Sequence, residues 1–350
     1  MKAATYHGVR DIRVETVPDP KIQDQNDVIL RVTKSAICGS DLHFYRGRVP
    51  MDEGFIVGHE FMGIVEDVGK GVKYFKKGDK VVAPFWVSCG VCTNCRNNVP
   101  TSCTGGGGCF GYGKAFGNFP GAQAEYVRVP FADTTLEKVP EGIPDEKILF
   151  LGDIFATGYF CAEWANIKPG DIVAVFGDGP IGLFATASAK LFGPSLIITI
   201  GHHDFRLDVA KKMGSDVVIN SHKENPIEKI LEITNERGVD AVLECIGIGS
   251  EQTLLDAFKI IRPAGTISFV GLFVQSVPIP MLDFYLKDLT LRGGVCPAKN
   301  YITKLMPLVE KGKIDPTAVI THDLPLSETP KGYKLMDSKE ENAIKVVLTP

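Results

Sequence analysis

Four cysteines fall within fifteen residues as Cys89-x-x-Cys92-x-x-Cys95-x7-Cys103. That spacing suits one tetrahedral ion, and zinc takes thiolate sulfur in this geometry. A shell closed by four thiolates leaves no position for a reactant, so the lobe spanning 88–104 is expected to be structural. A disulfide knot is the alternative. It is disfavoured because nine cysteines in 350 residues are too few for a disulfide scaffold. The opening Met1-Lys2-Ala3-Ala4-Thr5-Tyr6-His7 also lacks an apolar secretory core. Cys109, Cys161, Cys245 and Cys296 have no evident partners, which fits a reducing, cytoplasmic setting.

A second constellation is glycine-rich. Gly177-Asp178-Gly179-Pro180-Ile181-Gly182 follows an apolar run and opens a helical one. In that context G-x-G-x-x-G predicts a dinucleotide cradle. Gly177 permits the tight turn, Gly179 lets a pyrophosphate approach, and Gly182 packs helix on strand. Pro180 and Ile181 open the helix whose N-terminus faces the phosphates. An acid about 20 residues further on usually holds the ribose 2′-hydroxyl. Here the next apolar run ends in Gly201, followed by His202, His203 and Arg206. That pattern leaves room for a 2′-phosphate, so NADP is expected, with NAD as the alternative. Asp204, the nearest acid, stands about one turn too late.

These residues need a frame. The first 150 residues carry short apolar runs such as Val28–Val32 and Lys80–Ala83, bounded by turn residues, and read as many short strands. From Lys168 onward strands and helices alternate: strands near 171–176, 196–200, 216–219, 239–245 and 266–270, with helices near 180–192, 206–213, 227–235 and 251–261. Alternation of this kind predicts a doubly wound parallel sheet. A β-rich texture returns after about Tyr285, with one helix near 301–311 and a last strand at 343–348. The expected fold is α/β. A β-rich domain of residues 1–152 and 288–350 is interrupted by a Rossmann domain of residues 153–287. Gly105–Gly108 reads as a flexible loop. No run of ~18 apolar residues predicts a membrane span, and scattered Lys and Arg with a net charge of −4 disfavour nucleic acid as a partner.

Two further segments carry a family resemblance: Cys38-Gly39-Ser40-Asp41-Leu42-His43, and Gly58-His59-Glu60-Phe61-Met62-Gly63 running on through Gly78-Asp79-Lys80-Val81. With the cysteine lobe and the glycine turn, in this order, the whole chain resembles the zinc-dependent medium-chain alcohol dehydrogenases. The resemblance implies a GroES-like β domain plus a Rossmann domain, two zinc ions, and reversible hydride transfer between an alcohol and a nicotinamide coenzyme. It assigns Cys38 and His59 to a catalytic zinc, with Asp41 orienting His59 and Glu60 beside the metal. Many members carry a second cysteine as third ligand. This chain instead has Leu151-Gly152-Asp153-Ile154-Phe155, which makes Asp153 the expected ligand. That resembles the microbial secondary-alcohol and formaldehyde dehydrogenase branches.

Further roles follow from the same resemblance. Ser40 takes the alcohol proton, and His43 passes it to solvent. Phe85, Trp86 and Phe155 line the substrate pocket and favour an apolar or aromatic carbonyl compound. Thr157, Val270 and Leu272 touch the nicotinamide end. Family habit implies a homotetramer, or a homodimer. An NAD-dependent polyol dehydrogenase on the same scaffold is the first alternative; sorbitol-type members generally carry Glu as third ligand. A catalytically silent dinucleotide-binding protein is the second.

Overall fold

The computed structural model describes residues 1–350. The chain forms two compact units, Met1–Asp153 with Pro297–Pro350, and Ile154–Cys296.

The first unit is built on a seven-stranded sheet. Its centre is the ten-residue strand Val28–Ile37, flanked by Glu60–Val68 and by Lys345–Thr349. Alternating apolar side chains such as Val28, Leu30, Phe61, Val65 and Val81 bury one face, with Phe110 packed among them. Register decides what this sheet can do. Both flanking strands run antiparallel to the centre, with Ala36 opposite Glu60 and Ile37 opposite Val346. Residues distant in sequence, Cys38, His59–Glu60 and Lys345, therefore collect at one end of three adjacent strands. A 3-10 turn, Leu149–Gly152, packs fully buried at the same end and delivers Asp153.

The second unit holds a six-stranded parallel sheet. In spatial order the strands are Val217–Asn220, Leu196–Gly201, Ile172–Phe176, Val239–Glu244, Ile261–Phe269 and Thr290–Gly293. Numbered along the chain this order is 3-2-1-4-5-6, the doubly wound arrangement, whose crevice opens at the carboxyl ends of strands 1 and 4. Continuous Ile, Val and Ala runs bury both faces of the central strands.

Two expectations are corrected. The chain returns to the first unit at Pro297, not at 288, because Thr290–Gly293 adds a sixth strand to the parallel sheet. A second helix, Thr329–Ser338, follows Lys299–Glu310 where a single helix was expected; Pro330 sits in its first turn, where a missing N–H costs nothing. Gly105–Gly107 form the expected loop, with the Gly105 amide donating to Cys103 Sγ at 3.4 Å, and Gly108 enters a two-residue strand. No helix is long and apolar enough to cross a membrane.

Candidate metal centres and coenzyme turn

Cys89, Cys92, Cys95 and Cys103 converge so that their sulfurs lie within 4.8 Å of one another. Their sulfurs are 3.4 Å apart for Cys92–Cys95, 3.9 Å for Cys92–Cys103 and 4.0 Å for Cys89–Cys95. Four sulfurs at ~2.3 Å from a tetrahedral zinc stand about 3.8 Å apart. The set fits that ion. Amides of Cys92 and Gly105 donate to Cys89 Sγ and Cys103 Sγ, and such donors favour the thiolate form.

The second set is Cys38, His59, Glu60 and Asp153, all buried, with one ligand atom each inside the same 4.8 Å limit. His59 Nε2 is 3.2 Å from Asp153 Oδ2, and Cys38 Sγ is 3.5 Å from the same oxygen. The other ring nitrogen, Nδ1, lies 3.2 Å from Asp41 Oδ1, close enough for the carboxylate to act on the imidazole electrostatically. The surroundings call for positive charge. Burial, then Asp153 and Glu60, pushes the Cys38 thiol up to about 11, so it ionises only beside a cation. Burial opposes charge on His59, yet Asp41, Cys38 and Asp153 together hold its pKa well above the usual histidine range. A sulfur, an imidazole nitrogen and a carboxylate oxygen match a zinc donor set that keeps a position open.

Three residues that the sequence reading passed over complete this centre. Lys345 Nζ meets Glu60 Oε1 at 2.5 Å, and both side chains are 0% exposed. Gln123 donates to Asp41 Oδ2 at 3.3 Å and to the Ala36 carbonyl at 3.2 Å. Tyr333 donates to Gln123 Oε1 at 3.2 Å. Asp41 also accepts from the Cys38 amide at 3.0 Å, which ties ligand and orienting group together.

Ser40 Oγ stands 3.3 Å from His59 Nε2, at the mouth of the metal set. His43 follows on the short helix Asp41–Tyr45. It is half-buried rather than solvent-facing, and burial, with Arg48 and Arg46 adding to it, lowers its pKa to about 4. A neutral imidazole can still accept a proton at one nitrogen while releasing one from the other. Phe85 sits 6.3 Å from the His59 ring, centroid to centroid, with Trp86 edge-on to it and Tyr112 5.5 Å from His59. Phe155 is corrected: it is fully buried and stacks on Phe184 at 5.0 Å, inside the core of the second unit.

In the second unit the glycine turn closes strand Ile172–Phe176 and opens helix Pro180–Lys190, with Gly179 as N-cap. Gly177 has φ +125°, and a Cβ at Gly182 would stand 2.0 Å from the Gly177 carbonyl oxygen. Only glycine fits at either place, as a phosphate cradle requires. Val270 and Leu272 follow the fifth strand on the same carboxyl side of the sheet, Leu272 half exposed. Thr157 is buried in the first turn of helix Ile154–Trp164. Gly201 ends the second strand, and His202, His203 and Arg206 follow it in the chain. Asp204 is turned to Asn220 and Lys223, at 2.7 and 2.6 Å.

Comparison with known proteins agrees with the fold of both units. Residues 24–141 match the alcohol dehydrogenase GroES-like domain, and residues 180–311 the zinc-binding dehydrogenase family. The chain is 40% identical to an uncharacterized zinc-type alcohol dehydrogenase-like protein, AdhB, of Bacillus subtilis, covering 100% of both chains. It is 36% identical to an alcohol dehydrogenase of Cupriavidus necator, over 100% of this chain and 99% of the other. Among solved structures, alcohol dehydrogenase TADH from Thermus sp. ATN1 superposes with a TM-score of 0.95 at 40% identity, over 100% of this chain and 99% of that one. With its GroES-like and Rossmann units, the chain belongs to the zinc-dependent medium-chain alcohol dehydrogenases.

Proposed function

We propose that the protein oxidises an alcohol, and reduces the corresponding ketone or aldehyde, with a nicotinamide dinucleotide as hydride partner. The observation that carries this reading is the buried set Cys38, His59, Asp153 with Glu60 held aside by Lys345. A merely structural site has no use for an open donor set braced in this way. Zinc bound there would supply Lewis-acid polarisation of the substrate oxygen. The chain's own residues do the rest. Asp41 fixes the His59 ring, Ser40 Oγ is placed to receive the hydroxyl proton, and His43 takes it onward as a neutral relay. Phe85, Trp86 and Tyr112 form an aromatic wall beside His59, which favours apolar or aromatic substrates. The Cys89–Cys103 lobe would hold a second, structural zinc.

Association of copies belongs to the same reading. Helix Met281–Leu286 exposes Met281, Leu282, Tyr285 and Leu286 at 63–77%. Beside it in sequence, Thr290–Gly293 is an edge strand of the parallel sheet. An edge strand with apolar neighbours invites pairing with an identical edge about a two-fold axis. A homodimer, or a tetramer of two such pairs, is the assembly proposed.

The deciding experiment screens secondary alcohols, ketones, aldehydes and polyols with both coenzymes on protein of measured zinc content. Turnover of apolar carbonyl compounds that is lost with the Cys38 metal supports the reading. Turnover confined to polyols replaces its substrate half. Full zinc content with no turnover of any class replaces it with the silent dinucleotide-binding alternative.

A further inference from the structure

The expectation of NADP rests on the absence of an acid where strand Leu196–Gly201 ends. The structure supplies one from another place. Asp178, the residue between the first two glycines of the turn, lies against Gly201: a Cβ built on Gly201 would stand 2.5 Å from Asp178 Cβ and 2.7 Å from its Oδ2. Residue 201 is a glycine because the Asp178 side chain occupies its side-chain space. A carboxylate therefore sits where the strand-end acid of a doubly wound sheet would begin, beside the place of the adenosine ribose.

Its surroundings hold it there as an anion. Oδ2 accepts from the His202 amide at 2.7 Å, the His203 amide at 2.9 Å, and lies 2.9 Å from His203 Nδ1. Oδ1 is 3.9 Å from Arg206 Nη1. Burial works against the charge, but these hydrogen bonds and Arg206 outweigh it and keep the Asp178 carboxyl below its ordinary range. The same contacts occupy the cations that a 2′-phosphate would need. His203 faces Asp178. His202 Nδ1 is 2.8 Å from Ser221 Oγ, and its ring stacks on His222 at 4.5 Å. Arg206 is buried beside Asp178, and Lys223 is paired with Asp204.

We propose that Asp178, displaced from the usual strand end into the glycine turn, reads the ribose 2′ position and directs this protein to NAD(H) rather than NADP(H). The proposal rests on the glycine turn being the coenzyme site and reverses the preference read from the sequence. A buried carboxylate repels a phosphate on the 2′-oxygen and accepts a hydrogen bond from a free 2′-hydroxyl. It also changes what Gly201→Asp does: the new side chain meets Asp178, so this substitution alone blocks the pocket.

The test is calorimetric titration of the zinc-loaded protein with ADP-ribose and with 2′-phospho-ADP-ribose at pH 8, above the ordinary histidine range. Binding of these fragments needs no turnover. The wild type is expected to bind ADP-ribose more tightly. Asp178→Asn should shift the affinity ratio toward the 2′-phosphorylated ligand by on the order of ten-fold or more, since it removes one full charge from a partly buried site. Gly201→Asp should weaken both ligands, and the exchange Asp178→Gly with Gly201→Asp should restore the ADP-ribose preference. A wild type that prefers 2′-phospho-ADP-ribose overturns the proposal. So does an Asp178→Asn ratio that is unchanged or moves the other way, which would make Asp178 a clamp for a phosphate-binding turn. Failure of both ligands to bind the wild type, with fold intact by thermal melting, removes the coenzyme reading itself.

Discussion

Lys345→Met is the most demanding test of the metal centre. The Lys345 ammonium lies 2.5 Å from Glu60 Oε1, with neither side chain reaching solvent. Methionine fills similar space but leaves the Glu60 carboxylate buried beside Cys38 and Asp153 without its counter-charge. Breaking a buried pair from one side costs about 3–5 kcal/mol, because the remaining ion keeps its desolvation penalty. For a unit of roughly 200 residues, that corresponds to a fall of roughly 6–20 °C in melting temperature. The assay is thermal and urea unfolding of chelator-treated and zinc-loaded protein, with Lys345→Met and with Lys345→Met combined with Glu60→Gln. The single variant should lose most when chelated, and less with zinc, since the cation offsets the stranded charge. The double variant should regain more than half of the loss. A single-variant loss under about 1 kcal/mol, or a double variant as damaged as the single, would refute the argument that charge balance, and not packing, is what Lys345 provides.

Two further outcomes follow from the same centre. Asp153→Ala should lose one zinc by elemental analysis and most turnover while keeping the Cys89–Cys103 ion; unchanged metal content would reduce Asp153 to a helix-capping role and make Glu60 the preferred third ligand. His43 has a folded-state pKa near 4 against an unfolded value near ~6.5. The unfolded chain thus binds more protons between these values, so the His43 contribution is complete above pH ~6.5 and lost as pH falls through 4. By pH 5 this amounts to about 1–2 kcal/mol once partial exposure is allowed for. His43→Asn should flatten the pH dependence of unfolding between pH 7 and 5; an unchanged slope would count against a buried, neutral His43.

How much could be read in advance followed the length scale of each interaction. The four-thiol lobe closes over a span of fifteen residues, and its spacing alone implies its geometry. Strand and helix alternation from Ile172 onward is local periodicity, and the parallel sheet follows from it. Cys38, His59 and Asp153 were reached through motif neighbours. Their supports were not: Lys345 is 285 residues from Glu60, and Tyr333 is 210 from Gln123. Such pairs are set by sheet register, which no single segment displays. Phe155 was misplaced for the opposite reason. Two residues along the chain from Asp153 it enters a helix, and its ring turns into the core against Phe184. Asp178 was passed over because a variable position inside a glycine motif reads as filler. Only the folded turn shows that its side chain fills the space above Gly201.

Lys345 has a consequence for how the protein is made. It stands 285 residues after Glu60, on a strand paired directly to the one leading into Cys38. A ribosome releases Cys38, His59 and Asp153 long before that strand exists, and the whole unit Ile154–Cys296 emerges in between. The nascent chain can fold its inserted parallel sheet from local contacts while the acidic metal pocket still lacks both its third central strand and its ammonium. The ammonium that balances the pocket thus arrives well after the ligands it serves, and a chain that has grown only to Cys296 carries Cys38, His59 and Asp153 without the strand that holds Lys345.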